Sequence, residues 1–485
     1  MRRSVLQLVL PLVLLLSACA GGEPPDGSPG TPEPLPIPSA TGAAPPPGSD
    51  PLGLKWNRYQ PQTADFIRRT AGGWTFTEIE WCEVEPSPGQ RDWSTLDEAV
   101  SSIRDLGHEP MIKIRTGQCW GTAAPVTGGF DRTEATFKTP STPPTDLPAY
   151  LAFVTDLVHR YAALGVHEYA VENEVDVTNF WAAEVAEYDR LVRQVAPAIR
   201  EADPEARVLD GGVSSTSYGV ALAAAQLATG DEEGALATYQ RYYSRRIQGG
   251  VSRWPRVSSV GSLQGQVASE MGQRSVQAVD LAIRLATEGI VDVYQLHFYE
   301  TVEALPQLLT FLTDRIGGAV PIEAWEAGVA WPGSDYDQRA QAEEIYRLVA
   351  LLLARDIRRI VYLPVAYTPG DRTQVFRGLV LHDGTPLVAG HAWVALTDAL
   401  AGLEDGTLTP LTGDLSGVTW SGPGGDGAIV WATGEPTALP GDGVARVLDA
   451  AGAEIDAGRQ VDDTPVLVLG SEGQDLAAAL AAGGG

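Results

Sequence analysis

Basic residues and cysteines are both scarce in this chain of 485 residues. It holds 34 lysines and arginines against 62 aspartates and glutamates, for a formal net charge of −28 at pH 7. Nucleic-acid binding needs a basic surface, so this balance argues against a nucleic-acid partner. The six histidines and three cysteines show no spacing typical of a metal site, and no glycine-rich phosphate loop follows a predicted strand. The sequence therefore predicts neither a metal nor a nucleotide cofactor.

A charged start and a short apolar run stand at the N terminus. After Met-Arg-Arg, residues 5–16 are apolar, but the run is shorter than the roughly 20 residues that span a membrane. Small residues follow, which is the pattern of a secretory signal peptide. The run Leu-Ser-Ala-Cys ending at Cys19 resembles the bacterial lipobox. We interpret residues 1–18 as a lipoprotein signal peptide and Cys19 as a lipid anchor on the outer side of the bacterial cell membrane; a plain signal peptide cut nearby is the alternative.

Residues 19–53 are rich in proline, glycine, serine and threonine and contain almost no large apolar side chain. Such a segment cannot bury enough surface to fold. We interpret it as a disordered tether. If mostly extended at about 3.1 Å per residue, it would reach on the order of 90 Å from the membrane.

If Cys19 carries lipid, two cysteines remain in the folded part, Cys82 and Cys119. An exported chain with two remaining thiols suggests one disulfide. The two cysteines fall just after the second and third predicted strands, so a bridge between neighbouring loops is plausible. Two separate thiols remain the alternative, because the sequence does not show whether their Cβ atoms meet.

Eight apolar runs alternate with amphipathic stretches between residues 54 and 402. The runs cover residues 54–57, 74–79, 109–114, 168–174, 207–213, 291–298, 320–326 and 359–364. Alternating strands and helices predict a parallel sheet, and eight such units predict a closed (β/α)8 TIM barrel. The fold class is therefore α/β.

Three further regions interrupt or follow this pattern. Residues 214–289 are longer than one helix requires and contain two helical stretches, at 232–247 and 274–286. They are a candidate lid or substrate wall, or else a surface elaboration. Residues 403–472 predict a small antiparallel, β-sandwich-like domain. Residues 473–485 form a tail whose role the sequence does not indicate.

Two predicted strands end in a glutamate: Glu174 on strand four and Glu326 on strand seven. In a parallel barrel both lie at the C-terminal rim. Two carboxyl groups about 5 to 5.5 Å apart are the acid and the nucleophile of retaining glycosidases. Glu323 is a rival nucleophile, but it has the opposite strand parity and lacks the following glycine. For each glutamate, a structural salt bridge at the rim is the alternative.

Asn-Glu closing strand four and Glu-x-Gly closing strand seven resemble the clan A glycoside hydrolases, which are retaining (β/α)8 enzymes. Residues 81–93 agree with this resemblance, because they match the segment W-x-x-x-E-P-x-x-G-x-x-x-W after strand two. His-Phe-Tyr at 297–299 ends strand six, as in many of these enzymes. The resemblance covers most of residues 54–402.

The resemblance implies a role for each matching residue. Glu174 is the acid/base, and Asn173 hydrogen-bonds the 2-hydroxyl of the sugar. Glu326 is the nucleophile, and His297 and Tyr299 orient it or hydrogen-bond it.

One departure lies two residues before the acid/base, where many members of the clan have tryptophan and this chain has Glu172. Its strand parity equals that of Glu174. We expect Glu172 either to point inward and raise the pKa of Glu174, or to pair with Lys113 or Arg115.

Four tryptophans fall in predicted rim segments: Trp120, Trp181, Trp325 and Trp331. Flat aromatic faces stack on sugar rings, so these residues are candidate substrate contacts. For each one, ordinary packing is the alternative.

Taken together, the sequence predicts a lipid-anchored, retaining glycoside hydrolase that cleaves β-linked oligo- or polysaccharides. The rival interpretation is a noncatalytic carbohydrate-binding lipoprotein on a degenerate barrel. A transglycosylase would use the same residues. The sequence leaves open the sugar, the linkage, endo or exo action and the oligomeric state.

Overall fold

The computed structural model describes residues 46–56, 61–123, 140–250, 252–332, 335–367, 376–403, 406–440, 443–456, 458, 460–472 and 474–483. The predicted signal peptide, Cys19 and most of the predicted tether lie outside these residues and stay predictions. The first strand begins at Leu52 and is buried, so the tether ends earlier than residue 53. Among the described helices, none combines the length and the apolar character that a membrane span requires.

All eight strands of the predicted alternation are present. They are β1 (Leu52–Leu54), β2 (Trp74–Glu80), β3 (Glu109–Arg115), β4 (Glu168–Val171), β5 (Arg207–Leu209), β6 (Tyr294–Phe298), β7 (Ile322–Ala327) and β8 (Ile360–Tyr362). They form two four-stranded sheets, in the orders β1-β8-β7-β6 and β2-β3-β4-β5. Every pairing within both sheets is parallel. The prediction of an α/β fold with parallel strands is thus confirmed.

The two parallel sheets meet at both edges. Isolated parallel bridges join Leu209 to Val293 and Val213 to Leu296, which brings the β5 edge against β6. At the other edge β1 lies against β2, and a Cβ on Gly53 would come within 1.9 Å of a carbonyl oxygen on β2. Each of the eight strands therefore has a neighbour on both sides, which is the arrangement a closed barrel requires.

A separate apolar cluster lies among the strands of the two parallel sheets. Its buried members are Phe76, Met111, Ala170, Leu209, Val293, Trp325 and Val361, each from a strand between β2 and β8 or from the residue before it. Trp325 stacks on Phe76 with ring centroids 6.3 Å apart. The centre of the fold is therefore packed with side chains, as in barrels whose inward residues form layers.

The described residues contain thirteen α-helices. They are α1 (Ala64–Arg69), α2 (Trp81–Val84), α3 (Ser94–Asp105), α4 (Leu147–Ala162), α5 (Val185–Ala202), α6 (Ser215–Ala228), α7 (Glu232–Gln248), α8 (Val260–Val267), α9 (Glu270–Thr287), α10 (Leu305–Ile316), α11 (Gln338–Leu353), α12 (Val388–Ala399) and α13 (Leu476–Gly483). Two 3-10 turns add Pro61–Thr63 and Val302–Ala304. Residues 214–289 hold four helices, α6 to α9, instead of the predicted two. The sequence pattern did not reveal α6, because this helix is buried over most of its length and lacks an alternation of apolar and polar residues.

Helix α5 shows how the outer layer is held in place. Its buried residues recur at intervals of three and four along the chain and include Tyr188, Leu191, Val192, Val195 and Ile199. Such a stripe faces the strands while the opposite side faces water. Each large apolar side chain buried in this way contributes about 1.5 to 3 kcal/mol.

The C-terminal part forms an antiparallel sheet. Its strands are β9 (Thr407–Leu411), β10 (Leu415–Gly422), β11 (Gly425–Ala432), β12 (Val444–Leu448), β13 (Glu454–Ile455) and β14 (Val466–Gly470), in the order β9-β10-β11-β14-β12-β13. This agrees with the predicted C-terminal antiparallel region, although its exact boundaries stay predictions. Helix α13 buries Leu476 and Leu480 in an apolar cluster with Val430 and Val468 of this sheet, so the tail is part of the C-terminal core.

Three short strand pairs complete the described structure. They join Val329–Ala330 to Phe376–Arg377, Ala366–Tyr367 to Val380–Leu381, and Thr437–Ala438 to Gln460–Val461.

Candidate active site

The chain turns sharply where β4 ends. The strand stops at Val171, and Glu172 and Glu174 have φ values of 68° and 38°, in the left-handed region that non-glycine residues rarely adopt. The turn stays tied to the neighbouring strands. The N–H of Glu172 donates to the carbonyl of Ile114 at 2.9 Å, and the N–H of Glu174 donates to that of Gly211 at 3.0 Å. Backbone strain of this kind clusters at functional sites.

The turn directs Glu172 away from Glu174. Oε1 of Glu172 accepts the N–H of Thr116 at 2.7 Å, and Oε2 lies 3.8 Å from Nε of Arg115. Burial raises the pKa of Glu172 to about 7, against the opposing effect of Arg115. Of the two expectations for Glu172, the structure shows the pairing with Arg115.

Glu326 reaches the site because β7 contains one extra residue. Glu323 pairs with Gln295 and Glu326 pairs with His297, so three steps along β7 face two along β6. The pairing of β7 with β8 shows the same shift. Such a β-bulge interrupts the alternation of side chains. Trp325 and Glu326, although adjacent, can therefore both face the enclosed space.

Both oxygens of Glu326 accept a hydrogen bond. Nζ of Lys113 donates to Oε1 at 2.7 Å, and the hydroxyl of Tyr299 donates to Oε2 at 2.8 Å. The same ammonium group donates to Oδ1 of Asn173 at 2.7 Å. Lys113 is fully buried, so its charge acts in a medium of low polarity. One lysine on β3 thus holds residues from the ends of β4 and β7.

His297 lies between the two glutamates. Its Nδ1 is 3.1 Å from Oε1 of Glu174 and 3.6 Å from Oε2 of Glu326. One oxygen from each carboxylate and one ring nitrogen all lie within 4.8 Å of one another. This spacing would also suit a metal ion. The ammonium group of Lys113, however, already supplies a cation to this cluster and occupies an oxygen of Glu326.

The surroundings shift the pKa values of the two carboxyl groups in opposite directions. Burial raises the pKa of Glu174, despite its hydrogen bond to His297. Burial also acts to raise the pKa of Glu326, but His297 and Lys113 outweigh it and lower this pKa to about 2. A pair of titratable groups separated in this way can provide an acid and a base or nucleophile at one pH.

Two of the predicted substrate-contacting tryptophans have no exposed surface. Trp181 is fully buried, and its Nε1 donates to the carbonyl of Glu184 at 3.0 Å. Trp325 is fully buried in the central cluster against Phe76. The prediction that these two residues stack on a sugar is therefore wrong, because their faces are covered by protein.

The other two tryptophans are accessible. Trp120 is 36 % exposed, and its Nε1 donates to the carbonyl of Glu85 at 2.8 Å, which fixes the indole. Trp331 is half-buried, with the guanidinium of Arg245 lying 4.3 Å from its ring centroid. Both remain predicted sugar contacts.

Glu323, the rival nucleophile, lies at the other end of the strands. Its oxygens accept hydrogen bonds from Arg207 at 2.8 Å, Arg359 at 3.0 Å and Nε1 of Trp325 at 2.8 Å. These partners occupy it fully, away from Glu174. The interpretation of Glu323 as a nucleophile is not supported by this position.

Cys82 and Cys119 form a disulfide with a Cα–Cα distance of 5.3 Å. The bridge ties the residues that follow β2 to those that follow β3. Trp120 is adjacent to it in sequence, so the disulfide also restricts the loop that carries this exposed indole.

Lys113 and Gln295 belong to the site, but the motifs did not identify either as a site residue. Each is a polar residue inside an otherwise apolar strand. Lys113 interrupts Met-Ile-Lys-Ile on β3, and Gln295 stands two residues before His297, on the same side of β6. A fully buried polar side chain needs a partner, and this requirement was the available signal.

Comparison with known proteins gives a structural likeness only. No family model matches the chain. No curated protein matches it either. Among solved structures, it is similar to a family 39 glycoside hydrolase from the gut symbiont Bacteroides cellulosilyticus WH2, with 16 % identity, a TM-score of 0.55, and coverage of 87 % of this chain and 82 % of that one. It is also similar to a family 39 β-xylosidase from Caulobacter crescentus, with 14 % identity, a TM-score of 0.50, and coverage of 88 % and 97 %. At these identities the likeness shows a shared fold.

Proposed function

We propose that this protein is a retaining glycoside hydrolase, built on a (β/α)8 barrel, that cleaves β-glycosidic bonds in oligo- or polysaccharides. The observation that carries the proposal is the pair Glu174 and Glu326: one oxygen of each carboxyl group lies within 4.8 Å of one oxygen of the other, and their pKa values are shifted apart. Retaining enzymes hold their carboxyl groups about 5 to 5.5 Å apart, whereas inverting enzymes need about 6.5 to 9.5 Å to admit a water molecule.

Glu326 would perform the first nucleophilic step. Lys113 lowers the pKa of Glu326 through both its charge and its hydrogen bond, which favours the ionised form across the neutral range. Its carboxylate attacks the anomeric carbon and forms a covalent glycosyl ester, while the bond to the leaving oxygen breaks. Glu174, whose pKa is raised by burial, gives its proton to that oxygen. Lys113 and Tyr299 hold the attacking carboxylate in place.

The second step reverses the role of Glu174. Now a carboxylate, it takes a proton from a water molecule, whose oxygen attacks the anomeric carbon. The ester bond to Glu326 breaks, and Glu174 is again protonated. Two displacements at one carbon restore its original configuration, so the product retains the β-anomer.

Asn173 would contact the sugar. Because its Oδ1 accepts from Lys113, its amide nitrogen keeps two N–H donors for a substrate hydroxyl. Contacts to the 2-hydroxyl that strengthen in the transition state supply several kcal/mol in such enzymes. Trp120 and Trp331 would stack on sugar rings further from the cleaved bond.

The test is turnover of a panel of aryl β-glycosides that covers glucose, xylose, galactose, mannose and arabinose. We expect the protein to release aryl alcohol from at least one member and Glu326→Ala to release none. Glu323→Ala is the matched control on the same strand and should keep its activity where it folds. If the folded protein hydrolyses neither the panel nor longer oligosaccharides, the result would instead indicate a carbohydrate-binding role.

We also propose that the mature protein is anchored outside the cytoplasm by lipid on Cys19. The charged start, the short apolar run and Leu-Ser-Ala-Cys support this. Metabolic labelling with a radioactive fatty acid should label the protein and should not label Cys19→Ala. Labelling of both proteins would contradict the anchor at this cysteine.

A further inference from the structure

A directed hydrogen-bond chain lies behind His297. Nε2 of His297 is 2.8 Å from Oε1 of Gln295, on the side of the ring away from the glutamates. Nε2 of Gln295 donates to the main-chain carbonyl of Asp210 at 2.6 Å. A carbonyl oxygen can only accept, so the amide group of Gln295 has one orientation: its NH₂ faces Asp210 and its oxygen faces His297.

This orientation determines the tautomer of His297. The oxygen of Gln295 can only accept, so Nε2 of His297 must carry the hydrogen. The other ring nitrogen, Nδ1, then exchanges a proton with Glu174 alone at hydrogen-bond distance. We propose that Gln295 is a positioning residue, which fixes the Nε2–H tautomer of His297 so that the bare Nδ1 accepts a hydrogen bond from the protonated carboxyl group of Glu174.

A competing arrangement shows what Gln295 prevents. Nζ of Lys113 lies 3.4 Å from the same Nε2, and an ammonium group can only donate. Without Gln295, Lys113 would favour a bare Nε2 and a hydrogen on Nδ1. That hydrogen would point at Glu174 and stabilise its ionised form, which has no proton to give. The shorter contact to Gln295 and the two 2.7 Å acceptors of Lys113 favour the Nε2–H tautomer instead.

The backbone holds this chain from two further sides. The N–H of Gln295 donates to Oδ1 of Asp210 at 2.9 Å, so both ends of the glutamine are bound to one residue. Gly212 has a φ of +72° and lies against the imidazole, where a Cβ would come within 2.5 Å of Nε2. A side chain at this position would displace the ring, and the left-handed backbone also favours glycine.

This inference rests on the proposed function for its chemical consequence. In the first displacement, the proton of Glu174 leaves its hydrogen bond to Nδ1 and moves to the leaving oxygen. In the second, a water proton returns to Glu174. The hydrogen on Nε2 stays in place throughout, so His297 takes part through one nitrogen and the proton count balances.

The experiment uses the full protein with ¹⁵N-labelled histidine. The chain has six histidines, so the ring nitrogens of His297 can be assigned by comparison with His297→Ala. We compare the wild type with Gln295→Leu, which removes the acceptor, and with Gln295→Glu. The carboxyl group of Gln295→Glu keeps an acceptor for Nε2–H in both protonation states. The same three proteins are assayed on glycosides with good and poor leaving groups.

We expect Nε2–H in the wild type and in Gln295→Glu, and Nδ1–H in Gln295→Leu. For Gln295→Leu, kcat/KM should fall about 10²-fold with poor leaving groups, which need an acid, and less than about tenfold with activated aryl groups. A purely structural role would lower both equally and would overturn the proposal. A wild type with Nδ1–H would overturn it whatever the activity. A wild type with Nε2–H but no turnover would support the assigned tautomer and contradict the proposed function.

Discussion

Four buried or partly buried glutamates lie on strands β4 and β7 or in the turn after β4. Two are near the strand starts and two are at the strand ends. Near the starts, Glu168 and Glu323 face two arginines. Arg207 contacts both at 2.8 Å, and Arg359 contacts both at 3.0 Å. Near the ends, His297 contacts both Glu174 and Glu326, and Lys113 contacts Glu326 alone.

The cluster near the strand starts is closed. The guanidinium of Arg359 lies 3.7 Å from the ring centroid of Trp74, which covers it. Burial acts against ionisation of Glu323, but Arg359 and Arg207 outweigh it and lower its pKa. At Glu168 burial outweighs the two arginines and raises the pKa. Two cations nevertheless face two anions, and both glutamates are buried, so this cluster offers a substrate neither an accessible acid nor a free carboxylate.

The cluster near the strand ends is incompletely balanced. Lys113 donates a hydrogen bond to Glu326, whereas the hydrogen-bond partner of Glu174 is His297. The side chain of Glu174 is 13 % exposed, so a substrate can reach it, whereas His297 is fully buried. The two pairs of glutamates thus differ in their partners. Two arginines neutralise one pair, and a lysine and a histidine contact the other, which is the pair to which we assign proton transfer.

The largest expected effect is loss of turnover in Glu326→Ala. Removing the proposed nucleophile should lower kcat by about 10⁴-fold or more, because the carboxylate that forms the covalent intermediate is lost. Steady-state kinetics on the responsive glycoside checks this. Circular dichroism shows whether the variant is folded. Turnover above about a tenth of wild type would contradict the role of Glu326.

Glu174→Ala should have a large effect that depends on the leaving group. With poor leaving groups we expect a loss of about 10² to 10⁴-fold, the usual contribution of a general acid. With activated aryl groups the first step should be less affected. The wild-type rate should fall on the basic side as Glu174 loses its proton, and this basic limb should disappear in the variant. A basic limb that persists unchanged would assign it to another group.

Arg359→Met should break the cluster near the strand starts and affect stability instead of chemistry. Removing one partner of a buried ion pair costs about 3 to 5 kcal/mol, because Glu168 and Glu323 lose half of their compensation. Urea unfolding measures this loss. The kcat of the folded fraction should stay within a few-fold of wild type. A specific loss of kcat with unchanged stability would reverse our comparison of the two ends.

Lys113→Met should move the pH profile of the reaction. Glu326 must be ionised to attack, and its depressed pKa keeps it so down to low pH. Without the ammonium group this pKa rises toward its ordinary value, so the acidic limb of kcat/KM moves to higher pH, by roughly one unit or more. Lys113→Arg keeps the charge and should keep the limb near its original position. An unmoved limb in Lys113→Met would show that Lys113 does not set this pKa.

The sequence allowed the strands and the two glutamates to be predicted, because buried runs and terminal motifs are local patterns. It did not show the bulge in β7. Alternation alone placed Glu323 and Trp325 on one side and Glu326 on the other, whereas the extra residue lets Trp325 and Glu326 share the interior. Trp325 was assigned to a substrate because it falls in a predicted rim segment, although it belongs to the central cluster.

The sequence also did not show which charged residues far apart in the chain form ion pairs. Lys113 meets Glu326 across 213 residues of chain, and Arg359 meets Glu168 at the opposite end of the strands. No local pattern separates a lysine that binds a nucleophile from a buried lysine with a structural partner. Such distinctions depend on which strands become neighbours.

The most direct test of the central claim is the configuration of the first product. Proton NMR during the hydrolysis of a responsive β-glycoside shows which anomer appears before mutarotation. Our account predicts the β-anomer, formed by two displacements at Glu326. Initial appearance of the α-anomer would require a single displacement by water and would contradict the account.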